Sequence, residues 1–352
     1  MQENLYGRSL LEIRRILAPL TDKAFHARQL YGWIHGRGVR DFSRMSNLPL
    51  PLRSALAERF RVARPEVEIR QESRDGTIKY LLRLDDGKAV ESVYIPEERR
   101  ITFCISSQIG CPLACTFCLT GRMGLVRNLT PGEIAGQVAV LAGDHHLPAN
   151  EYNLVFMGMG EPLNNYDAVL TAFRILVDPD GFGIAPRRIT LSTAGVVPGL
   201  RRLAEENPRP RIAISLSATT DTLRDELMPI NKAYPLSVLF ETLRGIPLAP
   251  RERITFEYVL LRGINDSVDD AVRLASLAGR MPVKVNLIPY NEASVEGYAP
   301  PPRVAAQGFR DLLLARGLRA SIRKRRGADI SAACGQLAIL DPQIPEHPVP
   351  AS

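Results

Sequence analysis

The stretch "CISSQIGCPLACTFCLTGRMG", residues 104–124, contains four of the five cysteines in the chain. It begins inside the strand-like run "RITFCISS" and continues into a loop. Cys111, Cys115 and Cys118 form a C-x3-C-x2-C run in that loop, whereas Cys104 lies within the strand and Cys334 is far away in "GADISAACGQL". Three thiolates at this spacing predict one metal centre directly after a strand.

The cysteine loop opens a series of strand-like runs that alternate with helical stretches between residues 99 and 330. The runs are "RITFCISS", "YNLVFMGM", "RRITLSTA", "RIAISLSA", "RITFEYVL", "VKVNLIPY" and "RASIRKR". Repeating βα units predict a parallel sheet covered by helices, as an open or complete barrel. The cysteine loop, "GMGEP", "LSTAG" and "SLSATT" each follow a strand, where such folds carry their chemistry.

The rest of the chain predicts smaller units around this barrel. Residues 1–65 show apolar positions at helical spacing and predict a small helical domain. Residues 66–98 alternate strand-like runs with "RDG" and "DDG" turns, which predicts a short antiparallel β connector. The barrel is expected over residues 99–340, and the proline-rich residues 341–352 predict a flexible tail.

Composition narrows the compartment and the partner. The 352 residues contain no apolar run of the roughly 20 residues that a membrane span needs, and the N-terminus lacks a signal-peptide layout, so we expect a cytoplasmic protein without a membrane partner. Clustered cysteines there are more often ligands or catalytic groups than disulfides. The net charge is +7, and basic stretches at residues 14–40 and 321–329 flank the predicted centre. Each alone is explained by a solvated face, but together they favour a nucleic-acid substrate.

Two metal centres are compatible with three clustered thiolates. Structural zinc takes four protein ligands, and no histidine near Cys104 completes a familiar spacing. A four-iron cluster held by three cysteines leaves one iron without a protein ligand. The C-x3-C-x2-C loop after the first barrel strand resembles the radical S-adenosylmethionine (SAM) superfamily, in which that iron binds SAM. Gly160 and Glu161 in "GMGEP" match the segment that meets the SAM amino group, although alone they indicate only a tight turn.

A narrower resemblance extends over nearly the whole chain. The segments are "VESVYIPEE", "CISSQIGCPLACTFCLTG", "VFMGMGEPLNNYD", "ITLSTAGVVPGL", "ISLSATTDTLRDELMPIN", "LIPYN" and "RGADISAACGQL". Together they resemble the RlmN family of radical SAM methyltransferases, which act on carbon 2 of adenine in 23S rRNA and tRNA. The resemblance implies a 4Fe-4S cluster on Cys111, Cys115 and Cys118 and two SAM molecules per turnover. It implies a partial (β/α) barrel of the α/β class with a helical N-terminal RNA-binding accessory domain.

The resemblance also implies roles for individual residues. The implied SAM contacts are Gly160, Glu161, Ser192, Ser215, Leu216, Ser217 and Asn291. Ser217 departs from the pattern, because a histidine is usual in the family at this position. If the family contact is made by the backbone, the change has no effect; if it is made by the side chain, the contact is lost.

The remaining implied residues explain the two cysteines outside the loop. Carbon 2 of adenine has no usable lone pair, so a radical route replaces direct methyl transfer. In the family scheme Cys334 is first methylated by SAM, and the resulting carbon is then transferred to the ring. Glu91 is the implied general base, and Cys104 is the implied thiol that attacks Cys334 through a transient disulfide. Without the resemblance, Glu91 is a solvated edge-strand residue and Cys104 is core packing.

The sequence leaves several points open. A Cfr-type enzyme that methylates carbon 8 of adenine shares the same cysteines. A radical SAM activase acting on a protein would not require Cys334, and a non-enzymatic iron-sulfur RNA-binding regulator would not cleave SAM. The choice between rRNA, tRNA or both is open, as is the reductase, for which the family implies flavodoxin. We expect a monomer.

Overall fold

The N-terminal region is a small helical unit in this computed structural model, which describes residues 2–291 and 295–338. Its elements are β1 Glu3–Asn4, α1 Leu10–Leu17, α2 Phe25–Tyr31, α3 Leu50–Arg59 and β2 Phe60–Arg61. Helix α1 begins at a capping box between Ser9 and Glu12 and buries Ile13 and Leu17 on one face. The predicted tail, residues 341–352, lies outside the described residues.

The central element is a mixed sheet that has ten strands within the described residues. Its first strands are β3 Glu66–Glu72, β4 Ile78–Arg83, β5 Ala89–Glu97 and β6 Arg100–Ile105. These four pair antiparallel in sequence order. Residues 66–97 thus continue the sheet at one edge.

From β6 onward all pairing in this sheet is parallel. The later strands are β9 Tyr152–Phe156, β10 Ile189–Thr193, β11 Arg211–Ser215, β12 Ile254–Leu260, β13 Val283–Pro289 and β14 Arg319–Ile322. A short hairpin of β7 Gln108–Gly110 and β8 Leu125–Asn128 lies between β6 and β9. The spatial order runs from β14 at one edge to β3 at the other, with the parallel strands in sequence order. This order confirms the predicted open α/β barrel.

Helices cross over between the parallel strands. They are α4 Leu119–Arg122, α5 Pro131–Asp144, α6 Tyr166–Val177, α7 Val197–Glu205, α8 Asp221–Leu227, α9 Leu236–Arg244, α10 Val268–Ala278 and α11 Arg303–Ala315. Strand side chains such as Phe103, Leu154 and Val285 are completely buried, because the helices cover the sheet. In the described ranges no helix is long and apolar enough to cross a membrane.

The N-terminal unit packs directly on the barrel. Gly7 has a φ of +86°, and a Cβ there would lie 2.1 Å from the backbone nitrogen of Gly132 in α5. Only glycine permits this approach of two backbones. The unit is therefore held against α5, beside the hairpin that carries the cysteine loop.

Candidate active site

The cysteine loop is anchored on three sides. The backbone N–H of Cys111 donates to Gly124 O at 2.9 Å, which closes the β7–β8 hairpin. Thr116 N–H donates to Leu227 O at 3.0 Å, and Leu119 N–H donates to Gly335 O at 2.9 Å. The loop is thus fixed to the end of α8 and to the segment that follows Cys334.

The three loop thiols lie at the wall of one cleft. Cys111, Cys115 and Cys118 are free and line a cleft with a volume of about 170 Å³. Burial raises the pKa of Cys111 to about 12 and also raises the pKa of Cys115 and Cys118. The charges of Cys118 and Cys111 raise the pKa of Cys115 further. Three thiolates this close require a cationic partner, which a metal centre supplies.

The arrangement fits an iron-sulfur cluster. Cys111, Cys115 and Cys118 line one cleft and are supplied by a single loop. Each thiolate of a four-iron cluster binds its own iron, so its cysteines are spread around the group. Backbone N–H groups of Gly121 and Thr120 oppose the effect of burial on Cys118, as expected beside a ligating thiolate.

The "GMGEP" loop after β9 lines the same cleft. Gly160 has a φ of +97°, and a Cβ there would lie 2.5 Å from Cβ of Gln108, so only glycine fits. Glu161 is 3% exposed; its Oε1 accepts from Leu163 N–H and its Oε2 from Ala194 N–H. Burial raises the pKa of Glu161, and these hydrogen bonds oppose that effect. A carboxylate has about four acceptor positions, so this one keeps capacity for a ligand ammonium group.

The predicted serines lie at or just after the carboxyl ends of the next two strands, β10 and β11. Ser192 and Ser215 line the cleft with their Oγ atoms 3.4 Å apart. Ser217 has a φ of +50°, a left-handed conformation that is rare outside glycine. Its Oγ accepts from Val259 N–H at 3.4 Å, and its carbonyl oxygen accepts from Asn265 Nδ2 at 2.7 Å. The Ser217 hydroxyl group is therefore engaged in a hydrogen bond within the protein.

Leu216 and Asn291 differ in how they relate to the cleft. Leu216 is fully buried and is not among the cleft-lining residues; its carbonyl oxygen accepts from Arg224 Nε at 3.2 Å. Asn291 lines the cleft, and its Nδ2 donates to Cys334 O at 3.0 Å. Asn291 thus connects the strand end after β13 with the backbone of the distant cysteine.

Cys334 lies where two cavities meet. It lines the cleft of the loop cysteines and also a smaller cavity lined by Cys104, Met157 and Arg323. Both thiols are free. Burial, followed by the charge of Cys334, raises the pKa of Cys104 to about 12, while Arg323 lowers it. The fold therefore brings together two cysteines that are 230 positions apart in the sequence.

Glu91 is buried rather than solvated. It is 4% exposed, and its Oε1 lies 3.2 Å from Lys79 Nζ. Burial raises the pKa of Glu91, and Lys79 and the Ala338 backbone oppose that effect. Val93 pairs with Cys104 across β5 and β6, so Glu91, two residues from Val93, shares the sheet face of Cys104.

Two charged residues at the site have no place in the sequence prediction. Glu257 interrupts the apolar run "RITFEYVL", an unusual position that indicates a buried carboxylate. Arg224, 1% exposed, donates to the carbonyl oxygens of Leu216 and Ala194, and its charge lowers the pKa of Cys115. The helical run "DTLRDEL" around Arg224 gives no indication of this burial.

The basic run "RKRR", residues 323–326, is divided between the site and the protein surface. Arg323 faces the Cys104 cavity, Arg325 Nη2 donates to Tyr290 O at 2.9 Å, and Arg326 lies beside Asp75. Lys324 is exposed. Arg323 therefore serves the site from within, whereas Lys324 and Arg325 are exposed and stay candidates for phosphate contacts together with the exposed arginines of the N-terminal unit.

Comparison with known proteins identifies the class. A model of the Radical SAM superfamily matches residues 105–275, and a model of the "Ribosomal RNA large subunit methyltransferase N-terminal domain" matches residues 3–62. A crystal structure of a radical SAM methyltransferase from Sphaerobacter thermophilus superposes with a TM-score of 0.88 at 40% identity, covering 95% of this chain and 98% of that one. The protein is a radical SAM protein, and this class implies a 4Fe-4S cluster and SAM.

Curated relatives narrow the class to one family. "Dual-specificity RNA methyltransferase RlmN" of Anaeromyxobacter dehalogenans is 50% identical over 329 residues, covering 92% of this chain and 88% of that protein. The protein of the same name from Geobacter sulfurreducens is 48% identical over 334 residues, covering 95% and 91%. The chain belongs to the RlmN family.

Proposed function

We propose that this protein methylates carbon 2 of adenine in 23S rRNA and tRNA. The observation that carries the proposal is the position of Cys334, which lines both the cleft of the loop cysteines and the cavity of Cys104. A carbon placed on the Cys334 sulfur can be activated from the first cavity and released by a thiol in the second. The names of the relatives, which specify a dual-specificity RNA methyltransferase, support the same activity.

Cys111, Cys115 and Cys118 would hold the 4Fe-4S cluster, and Gly160, Glu161, Ser192, Ser215, Ser217 and Asn291 would surround SAM. When bound, the cluster supplies the electron that cleaves SAM homolytically. The chain itself fixes the loop, excludes water and aligns Cys334. Asn291 does this directly through its hydrogen bond to the Cys334 carbonyl oxygen.

The protein residues then act in sequence. Cys334 would lose its thiol proton and accept a methyl group from one SAM, and it would present that carbon for addition to the ring after the radical derived from a second SAM has taken one of its hydrogen atoms. Glu91, whose pKa is raised by burial, takes the ring proton. Cys104 then attacks the Cys334 sulfur and forms a disulfide, which breaks the carbon–sulfur bond; the carbon would leave with that electron pair and take a proton to become the methyl group, after the unpaired electron of the adduct has passed back to the cluster. A reductant then reopens the disulfide.

The remaining parts of the proposal concern partners. Residues 1–65 would bind RNA through exposed arginines such as Arg14 and Arg15. A flavodoxin-type protein would deliver electrons, and the enzyme would act as a monomer.

The test is the Cys104→Ala variant with anaerobically reconstituted enzyme and RNA. Cluster content, SAM cleavage and Cys334 methylation should persist, while a protein–RNA species resistant to denaturant accumulates and shrinks on ribonuclease digestion. Val93→Ala, which alters the residue opposite Cys104, should turn over without that species. Normal methylation by Cys104→Ala would contradict the two-cysteine mechanism. Nucleoside mass spectrometry with standards decides the position, and 8-methyladenosine as the product would replace the carbon-2 assignment.

A further inference from the structure

Glu257 brings an unpaired acceptor into the cleft. It lies on β12, is 5% exposed, and lines the cleft with the loop cysteines and Cys334. Its Oε1 accepts from Asn286 Nδ2 at 2.9 Å. Its Oε2 is buried and has no hydrogen-bond partner in the part of the chain that the structure describes. A buried acceptor without a donor is rare in native proteins and indicates a missing ligand or water.

The position of Glu257 is fixed by a row of polar residues across four parallel strands. Ser215, Glu257, Asn286 and Ser321 are register partners on β11, β12, β13 and β14. Ser321 Oγ donates to Asn286 Oδ1 at 3.1 Å, and Asn286 in turn donates to Glu257. The chain of hydrogen bonds therefore ends at Oε1 of Glu257 and leaves Oε2 without a donor.

The charges around Glu257 do not replace a donor. Burial raises the pKa of Glu257, while Arg323 and Lys284 lower it. Both cations act on this carboxylate through charge alone and donate no hydrogen bond to it in the described ranges. The Oε2 atom remains open to a neutral or cationic donor from a ligand in the cleft.

We propose that Glu257 accepts a hydrogen bond from a ribose hydroxyl of SAM and so positions its reactive 5′ carbon. The inference rests on the proposed function, because SAM is the ligand assigned to this cleft. Ser215 and Glu257 lie directly opposite each other on adjacent strands, which are about 4.8 Å apart. A vicinal diol of a ribose can contact both groups at once. The ribose carries the 5′ carbon, and Cys334 lines the same cleft.

Other donors of SAM fit this place less well. The α-amino group is assigned to the Glu161 side of the cleft, where a carboxylate is already held by two backbone N–H groups. The adenine amino group is a single planar donor and makes no use of the hydroxyl of Ser215. A contact of Glu257 with the adenine amino group is therefore the alternative that the test must distinguish.

The test compares the affinities of wild type and variant for SAM and for SAM analogues, so that the protein group and the ligand group are removed separately and together. Binding of SAM, its 2′-deoxy and 3′-deoxy analogues and its N6-dimethyl analogue is measured at equilibrium with cluster-loaded protein. Wild type should bind one deoxy analogue about tenfold or more weakly than SAM, as expected for a hydrogen bond to a charged group. Glu257→Ala should bind SAM and that analogue within about twofold of each other.

Two further variants serve as controls for this binding experiment. Glu252→Gln changes a carboxylate that pairs with Arg209 and does not line the cleft, and it should leave every ratio unchanged. Glu257→Gln keeps the side-chain volume and an acceptor for Asn286, so it replaces the alanine variant if that one misfolds. It should reduce the discrimination at least partly.

Different results of this experiment would refute the ribose contact and the proposed function. If Glu257→Ala or Glu257→Gln discriminates both deoxy analogues as wild type does, the ribose contact is wrong. If only the N6-dimethyl ratio changes, the contact is to adenine and the inference is also wrong. If wild type loaded with its cluster binds no SAM, the proposed function itself fails.

Discussion

Lys79→Met is the most informative change at the Glu91 site. Lys79 Nζ lies 3.2 Å from Glu91 Oε1, and the two side chains are 14% and 5% exposed. Methionine preserves most of the apolar stem and removes the ammonium group. Glu91 then becomes a buried carboxylate without its counter-ion, because the cation that opposes the effect of burial on its pKa is gone.

The magnitude follows from the burial of the pair. Breaking a buried ion pair by removing one partner typically costs 3–5 kcal/mol. Lys79 keeps some exposure, so we expect the free energy of unfolding to fall by about 3 kcal/mol at pH 8. The change should depend on pH, because only ionised Glu91 needs the cation.

The direction of this pH dependence follows from the raised pKa of Glu91. A carboxyl group whose pKa is higher in the folded state than its ordinary value of 4.5 destabilises the fold when ionised. That penalty is absent below pH 4.5 and grows as the pH rises through the raised value. The additional loss in Lys79→Met should therefore vanish in acid. One titrating group changes stability by at most about 1.4 kcal/mol per pH unit, so the loss develops over about two units or more.

The assay is denaturant unfolding of wild type and variant between pH 4 and pH 8. Lys88→Met, on an exposed turn, is the control and should change stability by less than about 0.5 kcal/mol at every pH. If Glu91 takes the ring proton, the rising limb of the single-turnover rate against pH should also move to higher pH in Lys79→Met. A stability loss that is the same at pH 4 and pH 8 would refute the reasoning.

Three further predictions concern the cluster, the methylated thiol and RNA. Alanine at any loop cysteine should abolish iron incorporation and SAM cleavage, measured by iron analysis and by release of 5′-deoxyadenosine; cleavage by such a variant would disprove the ligand set, which is Cys111, Cys115 and Cys118. Cys334 should carry one added methyl group after expression, seen by peptide mass analysis, and the triple alanine variant should lack it. Arg14→Glu combined with Arg15→Glu should weaken RNA binding and lower the slope of log affinity against log salt concentration by about two, the loss of about two phosphate contacts. Arg244→Glu on α9 is the control and should leave both unchanged. If the slopes of all three proteins were equal, the N-terminal unit would be structural.

The barrel could be predicted from the sequence because its signals are local. Each parallel strand is a short apolar run between helical stretches, and the strand order follows the chain order. The site loops follow strand ends, so their proximity follows from the fold. The proximity of Cys334 to Cys104 could not be predicted in this way, because it depends on how the segment after β14 folds back. Only the family resemblance predicted it.

The charged residues show where sequence patterns fail. "RKRR" suggests a surface patch, and Lys324 and Arg325 are exposed, yet Arg323 lines the cavity of Cys104. Glu91 suggests a solvated edge strand, yet β4 covers that edge and supplies Lys79. A composition pattern gives the charge of a segment but not the partners that the tertiary fold brings to it.

The different surroundings of the two reaction cysteines support the proposed order of steps. Among the described residues, Cys104 lines the smaller cavity and not the cleft of the loop cysteines, whereas Cys334 lines both, so Cys334 is the thiol placed to meet a methyl donor held beside the loop cysteines. Burial raises the pKa of Cys104 to about 12, which keeps this thiol protonated and slow to form a disulfide at neutral pH. Arg323 lines the same cavity, and the charge of Cys334 raises the pKa of this guanidinium. Once the Cys334 sulfur is alkylated, Cys104 is the remaining free thiol in this cavity beside Arg323, which lowers its pKa, so in the proposed reaction the resolving thiol reacts only after Cys334 has been alkylated.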